Sequence, residues 1–168
     1  MVREAIGFEV VEEAAPRSVD EGGGFVLYLD TSALLKLYVE EEHSDVVGRA
    51  VSEADVVVVS EIADLEARAA LARLYHEGRM SAEDLDRALG RLEGDLDAVG
   101  SVLYDADLAR AAGELAREHG DPPLRAYDAL HLASALEAFR LLAEGAGDRA
   151  PRLLAFDRRL CAPSARRA

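Results

Sequence analysis

The sequence predicts an α/β fold of three layers, with helices packed on both faces of a central parallel sheet. Two observations lead there. From Phe25 onward, short apolar runs alternate with stretches of helical period, and that alternation gives parallel strands joined by helical crossovers. The 168 residues are 50% hydrophobic, which suits one domain with a sizeable core.

The elements follow in order. Met1–Gly24 contains "EEAAPRSVDEGGG", acidic, proline-bearing and glycine-ended, and reads as a flexible or extended N-terminal segment in which Met1–Val11 can still form a short ordered piece. Residues 25–168 form the folded domain. Phe25–Leu29 is an unbroken apolar run and the first strand. Ala33–Val39 reads as a short helix and Ser44–Glu53 as a second one capped by Ser44. Val56–Val59 is a β-branched buried strand. Glu61–Glu77 is a long helix ending near Gly78, and "SAED" at Ser81 opens another with a capping-box-like start. Val102–Tyr104 is a third strand, Ala106–His119 a helix closed by Gly120, Asp128–Leu142 a helix behind a proline-bearing loop, and Arg152–Phe156 the last strand.

Charge and composition narrow the function. The formal net charge is −14, which disfavours a protein that coats nucleic acid with a basic face but allows local grip through bound cations and a few arginines. Cys161 is the single cysteine, so no internal disulfide forms and a reducing cytoplasm is the expected home. The sequence shows neither a signal-peptide pattern nor an apolar run of membrane-spanning length, so neither secretion nor membrane insertion is expected. Lys36 is the only lysine, and the arginine, alanine and glycine usage points to a GC-rich prokaryotic genome.

With 33 acidic residues, most carboxylates are solvated surface, and the informative ones sit where surface acids do not belong. Asp30 and Asp157 each follow a strand directly, at the end where open parallel sheets place their sites; an N-cap is the competing reading. Glu66 lies in line with Ile62 and Ala69, away from the polar face of Glu61, Asp64 and Arg68; a boundary glutamate paired with Arg73 is the alternative. Asp128 heads a stripe that continues as Leu132, Ala135 and Phe139, the core side of its helix. Hard divalent cations such as Mg²⁺ and Mn²⁺ prefer carboxylate and water oxygens, and no His/Cys cluster offers a zinc site. Several carboxylates without another nucleophile suit metal-activated water attacking a phosphodiester.

"YLDTSALLKLYVEE", "SEIADLEARAALARL", "LRAYDALHLASAL" and "LLAFDRRLCAPSA", in this order, resemble the PIN domain, and within it the VapC-type ribonuclease toxins of prokaryotic toxin–antitoxin pairs. The resemblance implies a PIN-like fold with four site acids at Asp30, Glu66, Asp128 and Asp157, supported by Ser32 and its neighbour Thr31. It further implies an endoribonuclease that cuts single-stranded or loop RNA with Mg²⁺ or Mn²⁺, leaving a 5′-phosphate and a 3′-hydroxyl, as a cytoplasmic homodimer silenced by a cognate antitoxin. Asp128 and Asp157 are 157 − 128 = 29 positions apart, more than compact members need, with "EGAGDRAP" as the added loop.

The lesser signals each carry two readings. Arg125 holds a phosphate or is loop surface. Arg158 and Arg159 share that choice. His131, one turn after Asp128, is an outer partner of the site or, the favoured reading, a packing histidine. Lys36 reads as a surface lysine, Tyr38 as packing, "EEEH" at Glu40–His43 as a solvated helix end, and Cys161 as a small packing residue. Three rival functions remain to weigh. A phosphoacceptor receiver domain needs a late lysine that is missing. A haloacid-dehalogenase-like phosphatase needs Asp where Ser32 stands. A catalytically silent PIN domain, binding RNA or protein, is the alternative from another class, and retention of all four acids argues against it.

Overall fold

The computed structural model describes residues 9–11, 24–119, 123–145 and 150–156. Its strands are β1 (Glu9–Val11), β2 (Phe25–Leu29), β3 (Val56–Ser60), β4 (Gly100–Val102) and β5 (Ala150–Leu154). They form one all-parallel sheet in the order β1-β5-β2-β3-β4. The helices are α1 (Thr31–Leu35), α2 (Ser44–Glu53), α3 (Glu61–His76), α4 (Ala82–Ala98), α5 (Ala106–Glu118) and α6 (Ala126–Gly145).

Side-chain alternation along β2 divides the core in two. Phe25, Leu27 and Leu29 pack with residues of α1 to α4, while Val26 and Tyr28 pack with α5 and α6. Both faces of the central strand are therefore covered, which is why its sequence is an unbroken apolar run. From β2 the chain moves outward through β3 to β4, then returns past both to place β5 on the other side of β2. The direction of progression thus reverses between β2 and β5, the kind of switch point whose carboxyl edge opens into a crevice.

Several boundaries differ from the sequence expectation, each for a local reason. The apolar trio Val102–Tyr104 suggested a strand, but pairing runs over Gly100–Val102; Leu103 and Tyr104 are exposed, and the Tyr104 N–H donates instead to Glu61 Oε2 at 2.9 Å. The last strand starts at Ala150, upstream of the expected Arg152, and carries Pro151 inside it. Ala150 N–H faces β2, donating to Gly24 O, so the Pro151 nitrogen faces the other side, where pairing with β1 starts only at Arg152 and no donor is needed. Ser44 does not cap α2. It is the first helical residue, His43 holds the cap position at φ 69°, and the Ser44 hydroxyl donates to Val39 O. The first helix covers Thr31–Leu35 rather than Ala33–Val39 because Asp30 caps it.

The end of α3 is as expected. Gly78 takes φ +69°, its N–H donates to Tyr75 O at 3.0 Å and the Arg79 N–H to Leu74 O at 2.9 Å, the paired bonds of a Schellman stop. Within the stretch expected to be a lead-in, Glu9–Val11 forms β1 on the free side of β5.

Candidate active site

Asp30 follows β2 at the switch point, and its own N–H donates to Leu154 O of β5 at 3.2 Å. Its carboxylate is 3% exposed. Oδ1 caps α1 through the Ala33 N–H at 2.8 Å, and the Ser32 hydroxyl approaches Oδ1 at 2.7 Å and Oδ2 at 2.9 Å. Ser32 Oγ in turn accepts the Phe156 N–H at 2.8 Å. The cap reading and the site reading of Asp30 are therefore compatible: capping orients a buried carboxylate at the sheet edge and, with Ser32, ties it to the chain leaving β5.

Glu66 arrives from the second turn of α3. The buried stripe of that helix is Ala63, Ala67, Ala70 and Leu71, so Glu66 stands at its margin rather than in the core. Ala69, expected to share an apolar side with it, is exposed. Glu66 Oε2 accepts the Thr31 hydroxyl at 2.5 Å and meets His131 Nε2 at 2.7 Å. Thr31 Oγ1 also lies 3.0 Å from His131 Nε2. Arg73 forms no ion pair with Glu66 among the described residues. Burial pushes the Glu66 carboxyl up, but the His131 and Thr31 hydrogen bonds and the His131 charge outweigh it and hold the group below its ordinary value.

His131 comes from α6, on the opposite layer, and is 4% exposed. Its Nδ1 lies 2.9 Å from the Tyr28 hydroxyl, and the two rings meet edge-on. The phenol lies near the Ser134 and Ser60 hydroxyls. Desolvation raises its pKa strongly, and the nearby Asp30 and Glu66 charges add to the rise, so both carboxylates act on one buried phenol. A polar chain thus passes over the carboxyl end of β2, from the α6 layer to the α3 layer.

The sequence model of the PIN domain matches residues 27–162. The chain belongs to the PIN-domain family. Ribonuclease VapC45 of Mycobacterium tuberculosis (strain CDC 1551 / Oshkosh) and Ribonuclease VapC49 of the same species (strain H37Rv) are each 35% identical to it over 111 residues, 66% of this chain and 75% of the relative. The solved structure of M. tuberculosis VapC20, a sarcin-ricin loop cleaving toxin, shares the fold with a TM-score of 0.52 at 20% identity, over 67% of this chain and 82% of that one.

Within this PIN domain, Asp30, Thr31, Ser32 and Glu66 gather at the carboxyl edge of the sheet. Asp128 is the third residue of α6, one turn before His131, and its Oδ2 accepts the Arg125 N–H at 3.0 Å, one half of a capping box. The helix opens at Ala126 rather than at Asp128 for that reason. Arg125 is exposed just ahead of it. Asp157, with Arg158, Arg159 and Cys161, lies outside the described residues; Phe156, the residue before it, is the one bound to Ser32.

Four residues have roles that their sequence context does not show. His131 sits in a helix of alanines and leucines where a histidine at the packing face was the only sign of its role in the polar chain. Tyr28 looked like one more apolar strand residue. Lys36 is not a surface lysine: its side chain is 9% exposed, it binds Glu41 Oε1 and Glu42 O, and its ammonium lies 4.6 Å over the Phe156 ring. His43 stacks on the same ring at 5.5 Å instead of ending a solvated helix.

Proposed function

We propose that this chain is a metal-dependent endoribonuclease, the toxin of a type II toxin–antitoxin module, hydrolysing phosphodiester bonds in single-stranded or loop RNA. The observation that carries the reading is the buried Asp30 carboxylate held at the sheet's switch point beside Glu66, in a PIN domain whose relatives at 35% identity are named ribonucleases. We take residues 25–168 as the nuclease domain and the cytoplasm as its compartment. No helix among the described residues is long and apolar enough to cross a membrane.

The donor chemistry fits a hard divalent cation, Mg²⁺ or Mn²⁺, since Asp30, Glu66 and Asp128 offer carboxylate oxygens and no thiolate competes. Among the described residues no three His, Cys, Asp or Glu side chains are grouped closely enough to hold an ion, so Asp30, Glu66 and Asp128 do not form a complete site by themselves, and we assign the completing ligand to Asp157. A cation held there would supply Lewis-acid chemistry and activate water for attack on the phosphodiester. The chain's own residues do the rest. Ser32 and the Ala33 N–H hold the Asp30 carboxylate in one orientation. Asp128 faces the N-terminus of α6, and Arg125, exposed beside it, neutralises an RNA phosphate. Unpaired bases supply the recognition that a duplex does not offer.

The charge of −14 favours a cationic partner over the site. A cognate antitoxin inserting an arginine among these carboxylates would take the cation's place, and the toxin would work as a homodimer. The deciding experiment is cleavage of single-stranded RNA by the purified protein with Mn²⁺ or Mg²⁺, with and without EDTA, and analysis of the new ends. Cutting that needs the metal and leaves 5′-phosphates is the expected result. Tight RNA binding with no cleavage under any metal would replace the enzyme by a silent binding module.

A further inference from the structure

We propose that His131 is a positioning residue of this site, which clamps Glu66 by one carboxylate oxygen and presents the other to the cation, with Tyr28 holding the imidazole in place. The inference rests on the metal-site reading above and specifies how one of its ligands is set.

The geometry makes the clamp one-sided. Thr31 Oγ1 and His131 Nε2 both reach the same oxygen, Oε2, at 2.5 and 2.7 Å. Among the described residues Oε1 takes no hydrogen bond, and the Glu66 side chain is 25% exposed. A carboxylate gripped at one oxygen and open at the other is restricted in rotation and retains a lone-pair face for a ligand. A glutamate on a helix margin without such partners samples several rotamers, and ordering it on ion binding would cost affinity.

The grip depends on which imidazole nitrogen carries a proton. Tyr28 is a phenol in a buried site whose oxygen is 2.9 Å from Nδ1. When it donates to Nδ1, the proton of the neutral ring must sit on Nε2, facing Glu66 and Thr31. If the ring is protonated at both nitrogens, Nε2 still donates to Glu66. The Ser60 and Ser134 hydroxyls, hydrogen-bonded to each other at 3.1 Å, lie near the phenol. The components come from β2, the starts of α1 and α3, and α6, so the clamp exists only when both helical layers are packed on the sheet.

The test is calorimetric titration of Mn²⁺ into the full chain and its variants, with RNA cleavage in parallel. Loss of an outer partner of a metal ligand typically costs 10- to 100-fold in metal affinity. His131→Ala should therefore weaken Mn²⁺ by at least about tenfold, with kcat falling and KM for RNA little changed. His131→Gln keeps a donor near the Nε2 position and should restore most of the loss; Tyr28→Phe should weaken binding less than His131→Ala. In a Glu66→Ala background, His131→Ala should have no further effect on Mn²⁺ affinity, whereas a histidine that only stabilises the fold would still lower it. Wild-type affinity in folded His131→Ala, or an undiminished effect in the Glu66→Ala background, overturns the proposal while Asp30→Asn still loses the ion. Wild-type Mn²⁺ affinity in Asp30→Asn and Glu66→Ala would overturn the metal-site reading and this inference together.

Discussion

Asp30→Asn should leave the metal-free protein nearly as stable as wild type yet remove its response to Mn²⁺. The carboxylate is 3% exposed and accepts the Ala33 N–H at 2.8 Å and the Ser32 hydroxyl at 2.7 Å. Asparagine is as good an N-cap as aspartate, so the Ala33 bond persists. The Ser32 bond changes from charge-assisted to neutral, a loss of about 1 kcal/mol, offset in part because a buried charge no longer has to be desolvated. At about 2–4 °C per kcal/mol for a domain of this size, Tm without metal should stay within about 4 °C. With Mn²⁺ at 100 times its Kd, the wild type gains about 2.7 kcal/mol, a rise of roughly 5–10 °C. A variant binding 100-fold more weakly gains only about 0.4 kcal/mol and roughly 1 °C. Thermal unfolding with and without Mn²⁺, beside RNA cleavage, measures both effects. A full wild-type shift in Asp30→Asn, with cleavage retained, would refute the assignment of Asp30 to the metal.

Three further outcomes follow from the same structure. The Glu66 carboxyl is held below its ordinary value of 4.5, so its contribution to stability is complete above that pH and is lost as pH falls through the lower folded value; Glu66→Gln should flatten the acid limb of urea stability below about pH 4.5, and an unchanged limb would count against the His131 and Thr31 bonds. Gly78→Ala should destabilise by about 1–2 kcal/mol, since φ is +69° and a Cβ would meet nothing within 4 Å, leaving backbone strain as the only term; urea midpoints check it. Phe156→Ala should cost about 2 kcal/mol, less than a fully buried phenylalanine, because its half-buried ring packs against the Lys36 ammonium and the His43 imidazole; a negligible loss in urea unfolding would show that this stack does not anchor the end of β5.

Much of this protein is legible in its sequence alone. Unbroken apolar runs such as Phe25–Leu29 and Val56–Val59 must be buried on both faces, and that requirement with the intervening helical periods gives the three layers. Asp30 was visible because an acid ending such a run has few places to go, and Gly78 because only glycine stops a helix at positive φ without strain. Tertiary structure decided the rest. The boundaries of β4 and β5 depend on which backbone groups find partners on β3, β2 and β1, and apolar content alone placed both strands too late. Glu66 stood out as misplaced, but its orientation comes from Thr31 and His131, 35 and 65 residues away. Helical periodicity says which side of α6 carries His131; it does not say that Tyr28 from β2 waits on that side, or that α3 brings a carboxylate from the opposite layer. Periodicity is a property of one segment, whereas a hydrogen bond between layers depends on how three segments dock, so Glu66 stood out as misplaced while the partners that orient it did not.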